Sequence, residues 1–212
     1  MLIAPSCSLI ISIYCINALI LGCAVESGNN SEDGGNKDIV GSDNSSYPPP
    51  PYGTQVGATI ENLSLEECIC SGEQPEGRKI ALSDFLGTQA LLITVHSGWC
   101  ENCETQALGM ESNVYQAYKS QGFEILLVIF QDKDYNSGRE ILLNYCCKEY
   151  KEKFGMTFNL AIDPGGAKMV DTYFSKPPLN MLVDQQMVIQ YKSESYSPDE
   201  LDVSIKNLLG ID

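Results

Sequence analysis

Residues 91–106, LLITVHSGWCENCETQ, constrain the fold more than any other stretch of the chain. The run Leu91, Leu92, Ile93, Thr94, Val95 is apolar and β-branched, which marks a buried strand. Ser97 and Gly98 break it, and Trp99-Cys100-Glu101-Asn102-Cys103 opens a helical segment. Two cysteines at Cys-x-x-Cys spacing on a helix start can face each other. The first sits where unpaired backbone N–H groups point outward. Those groups and the helix dipole stabilise a thiolate, the reactive form of the side chain. A strand feeding Cys-x-x-Cys in a βαβ setting therefore signals thiol–disulfide exchange. Cys100, at the helix start and nearer solvent, reads as the nucleophile, and Cys103 as the thiol that resolves the mixed disulfide.

Other uses of the pair weigh less. A closed zinc site needs a second ligand pair with loop spacing. The remaining cysteines of the globular part, Cys68-x-Cys70 and Cys146-Cys147, are poorly placed for that, so no metal is expected. A c-type haem needs His directly after the second Cys, where Glu104 stands, and no cofactor is expected. A purely structural bridge rarely lies at a strand-to-helix junction behind the chain's single Trp.

With these residues in view, the segment resembles the active site of thioredoxin-like proteins, an apolar strand followed by W-C-x-x-C and a helix. Residues 176–184, KPPLNMLVD, resemble the second hallmark of those proteins, a Pro before an apolar strand ending in Asp. The pattern is similar to that of membrane-anchored TlpA/ResA-type thiol–disulfide oxidoreductases, within the wider AhpC/TSA and redoxin superfamily. The likeness runs from about Ile80 to the C-terminus. It implies an α/β thioredoxin fold, a three-layer sandwich with a central mixed β-sheet flanked by helices, here with an N-terminal extension. It also implies that Trp99 closes over the thiols and that substrate docks beside a cis proline. Pro177 and Pro178 are the candidates, and counting back from Asp184 selects Pro178. The implied partners are protein or small dithiol/disulfide substrates and an upstream electron donor.

Several positions depart from the family pattern. Thr94 stands where many members carry a buried Asp, Gln106 where TlpA-type proteins place a Glu, and Leu108 where a helix-kinking Pro is usual. Such a carboxylate would shuttle a proton to the buried thiol; Glu101 or Glu104 would have to substitute. His96, the sole histidine, reads as a hydrogen-bonded structural residue. A peroxiredoxin-like thiol peroxidase is the alternative reaction. Ser97 and Cys100 fit the end of P-x-x-x-T/S-x-x-C, but Ile93 takes the Pro position, and Arg78 and Arg139 are the only arginines. A non-enzymatic, disulfide-stapled binding module is the third reading.

The rest of the chain supplies the setting. Residues 1–22 are uncharged and rich in Leu, Ile, Ala and Ser, as in a lipoprotein-type signal peptide, although no Lys or Arg precedes the apolar run. Ile20-Leu21-Gly22-Cys23 resembles a lipobox, which implies lipidation of Cys23, a membrane anchor and a place in the cell envelope on the extracytoplasmic side. Residues 23–53, dominated by Gly, Ser, Asn and Pro, read as a disordered tether. Residues 54–212 read as the thioredoxin-like domain. Strands are expected at 58–65, 79–82, 90–95, 123–130 and 159–162, with a hairpin of 179–183 and 188–191. Helices are expected at 100–120, with an apolar stripe of Leu108, Val114 and Tyr118, and at 137–154, with Ile141, Leu142, Tyr145 and Tyr150. Further helices are expected at 167–173 and 198–209.

Twenty-eight acidic residues against 13 basic ones, a formal charge of −15, exclude a nucleic-acid partner, whose phosphates need a basic face. In an exported chain Cys68, Cys70, Cys146 and Cys147 should pair. Sequence does not choose the connectivity, although bridges between the two groups are favoured over bridges within them. Such a bridge would add about 3–4 kcal/mol by shortening the unfolded chain. Glu101 and Glu104 beside the pair, with no Lys or Arg near in sequence, disfavour the thiolate and predict a reductase-leaning potential.

Overall fold

The computed structural model describes residues 46–72 and 74–212. The expected signal peptide, Cys23 and the tether up to residue 45 lie outside the described residues. At the tether's end, Tyr47 packs against the core and its hydroxyl donates to the Ile60 carbonyl at 2.8 Å. The backbone N–H of Gly53 donates to the Thr59 carbonyl at 2.9 Å, so contacts cross the expected boundary at residue 53.

Among the described residues seven strands form one sheet: β1 (Ser64–Ile69), β2 (Glu76–Ala81), β3 (Ala90–Ser97), β4 (Phe123–Gln131), β5 (Asn159–Ile162), β6 (Leu179–Asp184) and β7 (Ile189–Ser193). Their spatial order is β2-β1-β5-β4-β3-β6-β7. β3, β4 and β5 are parallel, and the flanking strands pair antiparallel, which makes the sheet mixed. The helices are α1 (Glu101–Gly109), α2 (Gln116–Tyr118), α3 (Arg139–Tyr145), α4 (Val170–Tyr173) and α5 (Pro198–Leu209). This is the α/β architecture that the apolar runs and their spacing imply.

β3 is buried along its whole length, and its side chains alternate between two cores. Ala90 and Leu92 join Met110, Leu142, Tyr150 and Ile205 on one face of the sheet. Leu91, Ile93 and Val95 join Phe85, Met169 and Tyr173 on the other. A strand covered on both faces has no polar side to expose, and the sequence run shows that directly.

Three expectations shift. Residues 58–65 were read as a strand, but only Thr59 bridges there, to Val188, and the strand proper is Ser64–Ile69. Glu66 and Glu67 argued for a loop, yet each carboxylate has an arginine partner. Glu67 pairs with Arg78 directly across the β1–β2 ladder, and Glu66 pairs with Arg139 at the start of α3. Both arginines of the chain thus hold β1 in place. The stripe of the first long helix also moves: Leu108 is 70 % exposed, and Cys103, Gln106, Ala107 and Met110 face the core instead. α1 runs on into a π-helical turn, Met110–Tyr115, and a wider turn changes which residues share a face. Gly122, at φ 81°, ends the run in the left-handed conformation. A second π-helical stretch, Cys146–Glu152, continues α3; there Leu142 and Leu143 are buried while Ile141 is exposed.

Candidate active site

At the C-terminal end of β3 the backbone turns sharply into α1. Gly98 permits the turn, because a Cβ there would lie 2.4 Å from the Lys133 backbone nitrogen and 2.4 Å from the Tyr145 hydroxyl. Its N–H donates to the Gln131 carbonyl at 2.9 Å. Cys100 then takes the N-cap position of α1, and its sulfur accepts the Cys103 N–H at 3.1 Å. A sulfur in that position gains from the unpaired N–H groups of the first turn. Cys100 and Cys103 form a disulfide, in which Cys100 reaches the surface at 9 % exposure and Cys103 is fully buried.

Trp99 is partly exposed. Its indole N–H donates to Gln131 Oε1 at 2.9 Å, and its ring stacks on Tyr135 with centroids 5.3 Å apart. Tyr135 adopts φ 64° in a tight loop. Asp132 holds that loop by accepting from the N–H groups of Asp134 and Asn136 and from the Asn136 side chain, all at 2.8–2.9 Å. Burial opposes the Asp132 charge, but the bonds from Asn136 and Asp134 prevail and hold its carboxyl below the usual range. Pro178 follows a cis peptide bond and precedes β6. Leu179 pairs with Val95, so Pro177 and Pro178 stand at the same end of the sheet as Cys100.

Behind the pair lies a buried polar cluster. Gln106 Nε2 donates to Asn180 Oδ1 at 2.6 Å and to Thr94 Oγ1 at 3.4 Å, and Asn180 Nδ2 donates to the Ser195 carbonyl at 3.2 Å. The two positions where the family carries carboxylates, Thr94 and Gln106, are therefore in contact and neutral. His96 is fully buried, as a structural histidine should be, but neither ring nitrogen has a hydrogen-bond partner. Burial drives its pKa down to about 3, against the neighbouring Gln106 amide.

Beside Cys100 a cavity of about 160 Å³ is lined by Ser97, Tyr145, Tyr150, Phe154 and four exposed charged residues, Glu104, Lys133, Glu149 and Lys153. Lys153 Nζ lies 2.9 Å from Glu104, so a cation does reach the first turn of α1, from 49 positions away. Burial and then Glu149 push the Tyr145 hydroxyl up to about 12. Sequence reasoning missed Tyr135, Tyr150, Lys153 and Asn180 because each reaches the site from a separate element. Only the turn composition around Asp132 carried a local signal. Cys68 is bridged to Cys146 and Cys70 to Cys147, which ties β1 to the π-helical stretch that carries Glu149 and Tyr150. Among the described residues no three His, Cys, Asp or Glu side chains are grouped to hold a metal ion.

With this geometry in place, comparison with known proteins is informative. The sequence profile of the AhpC/TSA family matches residues 56–192. No curated protein sequence matches the chain. Among solved structures, the thioredoxin domain of a thiol-disulfide oxidoreductase from Bacteroides vulgatus is 18% identical, with a TM-score of 0.56 over 73% of this chain and 98% of that one. A thiol:disulfide interchange protein from a Bacteroides species is 18% identical, with a TM-score of 0.56 over 74% and 91%. The reduced 2-Cys peroxiredoxin of Plasmodium vivax is 15% identical, with a TM-score of 0.55 over 73% and 96%. At these identities the likeness is one of fold.

Proposed function

The chain belongs to the AhpC/TSA family, and from that premise we propose that it is a thiol–disulfide oxidoreductase acting through Cys100 and Cys103. The observation that carries this reading is the Cys100–Cys103 disulfide at the N-terminus of α1, with its outer sulfur at the surface and its inner one buried. In the reduced protein the Cys100 thiolate attacks a substrate disulfide, and one substrate sulfur leaves. Cys103 then attacks Cys100 of the mixed disulfide and releases the second. Trp99 and the Pro177–Pro178 segment flank the sulfurs where an incoming chain would lie. A Cys103→Ser variant should accumulate the mixed disulfide, from which the partner can be identified. Failure of that variant to form any adduct with protein or small disulfides would contradict the reading.

Peroxide reduction is the second reading. Ser97, three residues before Cys100, borders the same cavity, and its hydroxyl lacks a partner. Against it, both arginines are engaged by Glu66 and Glu67, which leaves no guanidinium to polarise a peroxide. Peroxide consumption without a disulfide substrate separates the two reactions.

An extracytoplasmic site fits a domain with three disulfides among its described residues. The reading includes a lipid on Cys23 and removal of residues 1–22. Recovery of intact residues 1–22 on the protein from native membranes would contradict that part. The potential is reductase-leaning, below about −220 mV, because Glu101 and Glu104 oppose the thiolate and only Glu104 is paired, by Lys153.

A further inference from the structure

His96 is the buried titratable group that the exchange chemistry above leaves unused. Its two ring nitrogens and the Ser97 hydroxyl are the buried side-chain polar atoms without a hydrogen-bond partner among the described residues. Buried polar groups are paired almost without exception, so an unpaired ring one turn from the redox pair points to a role.

The register of β3 and α1 locates it. Gln106 of α1 touches Thr94 of β3, and the chain reverses between them through Ser97 and Cys100. Two residues up the strand from Thr94, about 6.6 Å, is His96, on the same face. Three residues back along the helix from Gln106, about 4.5 Å in the same direction, is Cys103. His96 thus lies beneath the end of α1 that carries Cys103, and both are fully buried. Its other neighbours hold no available base. Thr94, Gln106 and Asn180 are neutral. The Tyr150 ring, 5.9 Å away, belongs to a phenol whose pKa burial raises. Glu104, Lys133, Glu149 and Lys153 are exposed around the cavity mouth.

We propose that His96 accepts the proton of Cys103 when that thiol resolves the mixed disulfide. The inference rests on the dithiol mechanism proposed above. The Cys103 S–H bond breaks and the proton passes to the imidazole. The Cys103 sulfur then bonds to Cys100 as the Cys100–substrate S–S bond breaks. The departing substrate thiolate takes the proton from the imidazolium. Two electrons have moved from the dithiol to the substrate disulfide, and His96 is neutral again. Because the site is buried, the imidazolium exists only beside the thiolate formed with it, and their attraction is strong in a medium of low dielectric.

The test is stopped-flow reaction of the reduced protein with dithiobis(nitrobenzoate). The first nitrothiobenzoate release reports attack by Cys100, and the second reports resolution by Cys103. In the unaltered protein the second release should be independent of pH between about 6 and 8, because a neutral imidazole is available throughout. In His96→Gln it should slow on the order of 10²-fold at neutral pH and rise about tenfold per pH unit. Adding Gln106→Glu to that variant should restore part of the rate, since a carboxylate then occupies the neighbouring position. A second release proportional to hydroxide in the unaltered protein overturns the proposal without any variant. So does a folded His96→Gln with an unchanged second release. Absence of even the first release would overturn the Cys100 reading, and this inference with it.

Discussion

Cys100 and Cys103 are three positions apart, whereas the Cys68–Cys146 and Cys70–Cys147 bridges span 78 and 77. On the chain-entropy view, closing the long loop once stabilises the fold by about 4–5 kcal/mol, and closing the three-residue step by roughly 2 kcal/mol. The second long bridge adds little, since the first has already joined the same two segments. The settings differ as much as the spans. The short bridge caps a helix with one sulfur at the surface, where the dipole favours a thiolate. Cys68, Cys146 and Cys147 are almost wholly buried between β1 and the π-helical stretch. The same bond therefore serves two purposes. One is placed to open and close, and the others are placed to hold the wall of the cavity beside it.

The comparison breaks most plainly at Cys100. A Cys100→Ser variant should lose at least about 10³-fold in dithiol-dependent reduction of a protein disulfide, with its thermal midpoint nearly unchanged. Removing both long bridges, by Ala at Cys68, Cys70, Cys146 and Cys147, should do the reverse. Calorimetry should show a loss of about 4–5 kcal/mol, or roughly 10–20 °C, while Cys100 still reacts in the folded protein at low temperature. An activity loss that tracks the fall in midpoint would mean that the cross-links only stabilise.

A smaller effect concerns pH. His96 titrates at about 3 in the folded protein against 6.5 for a free side chain, with burial as the main cause. Below 6.5 the unfolded chain binds a proton that the folded one refuses. Stability from this group is therefore complete above about pH 6.5 and falls with pH toward 3, by at most about 1.4 kcal/mol per unit. The lowered carboxyls Asp132, Glu111 and Asp202 act in the same direction but only below the carboxylate range, and the raised Asp163 acts against them. Urea titrations between pH 4.5 and 6.5 should thus lose their slope in His96→Phe; an unchanged slope would place the titration elsewhere. Smallest is Lys153→Gln. The Lys153–Glu104 pair is exposed, so stability should hold, and the Cys100 thiol pKa should rise by less than about half a unit. A drop in that pKa, followed by thiolate absorbance, would contradict the assigned sign.

Much of this was legible because it is local. β5, the last helix and the strand-turn-helix around Trp99-Cys100 follow from apolar runs, a glycine break and a cap. What escaped was set by contacts between distant segments. Glu66 and Glu67 look like loop residues until Arg139 and Arg78 are placed beside them. Leu108 fits an ideal helical stripe that the following π-helical turn displaces. In the site, the cysteine pair and its neighbours were readable. Lys153 at the first turn of α1, Tyr135 over Trp99 and Asn180 against Gln106 were not, since pairing at 49, 36 and 74 positions leaves no periodic trace.

The central claim is that one bridge of the three is the working one. Equilibrating the folded protein in glutathione buffers of graded potential, then trapping and mapping every thiol by mass spectrometry, tests it directly. The expected result is that Cys100–Cys103 titrates reversibly with a midpoint below about −220 mV while Cys68–Cys146 and Cys70–Cys147 stay closed throughout. A Cys100–Cys103 bridge that stays closed at every potential, or long bridges that open together with it, would contradict the claim.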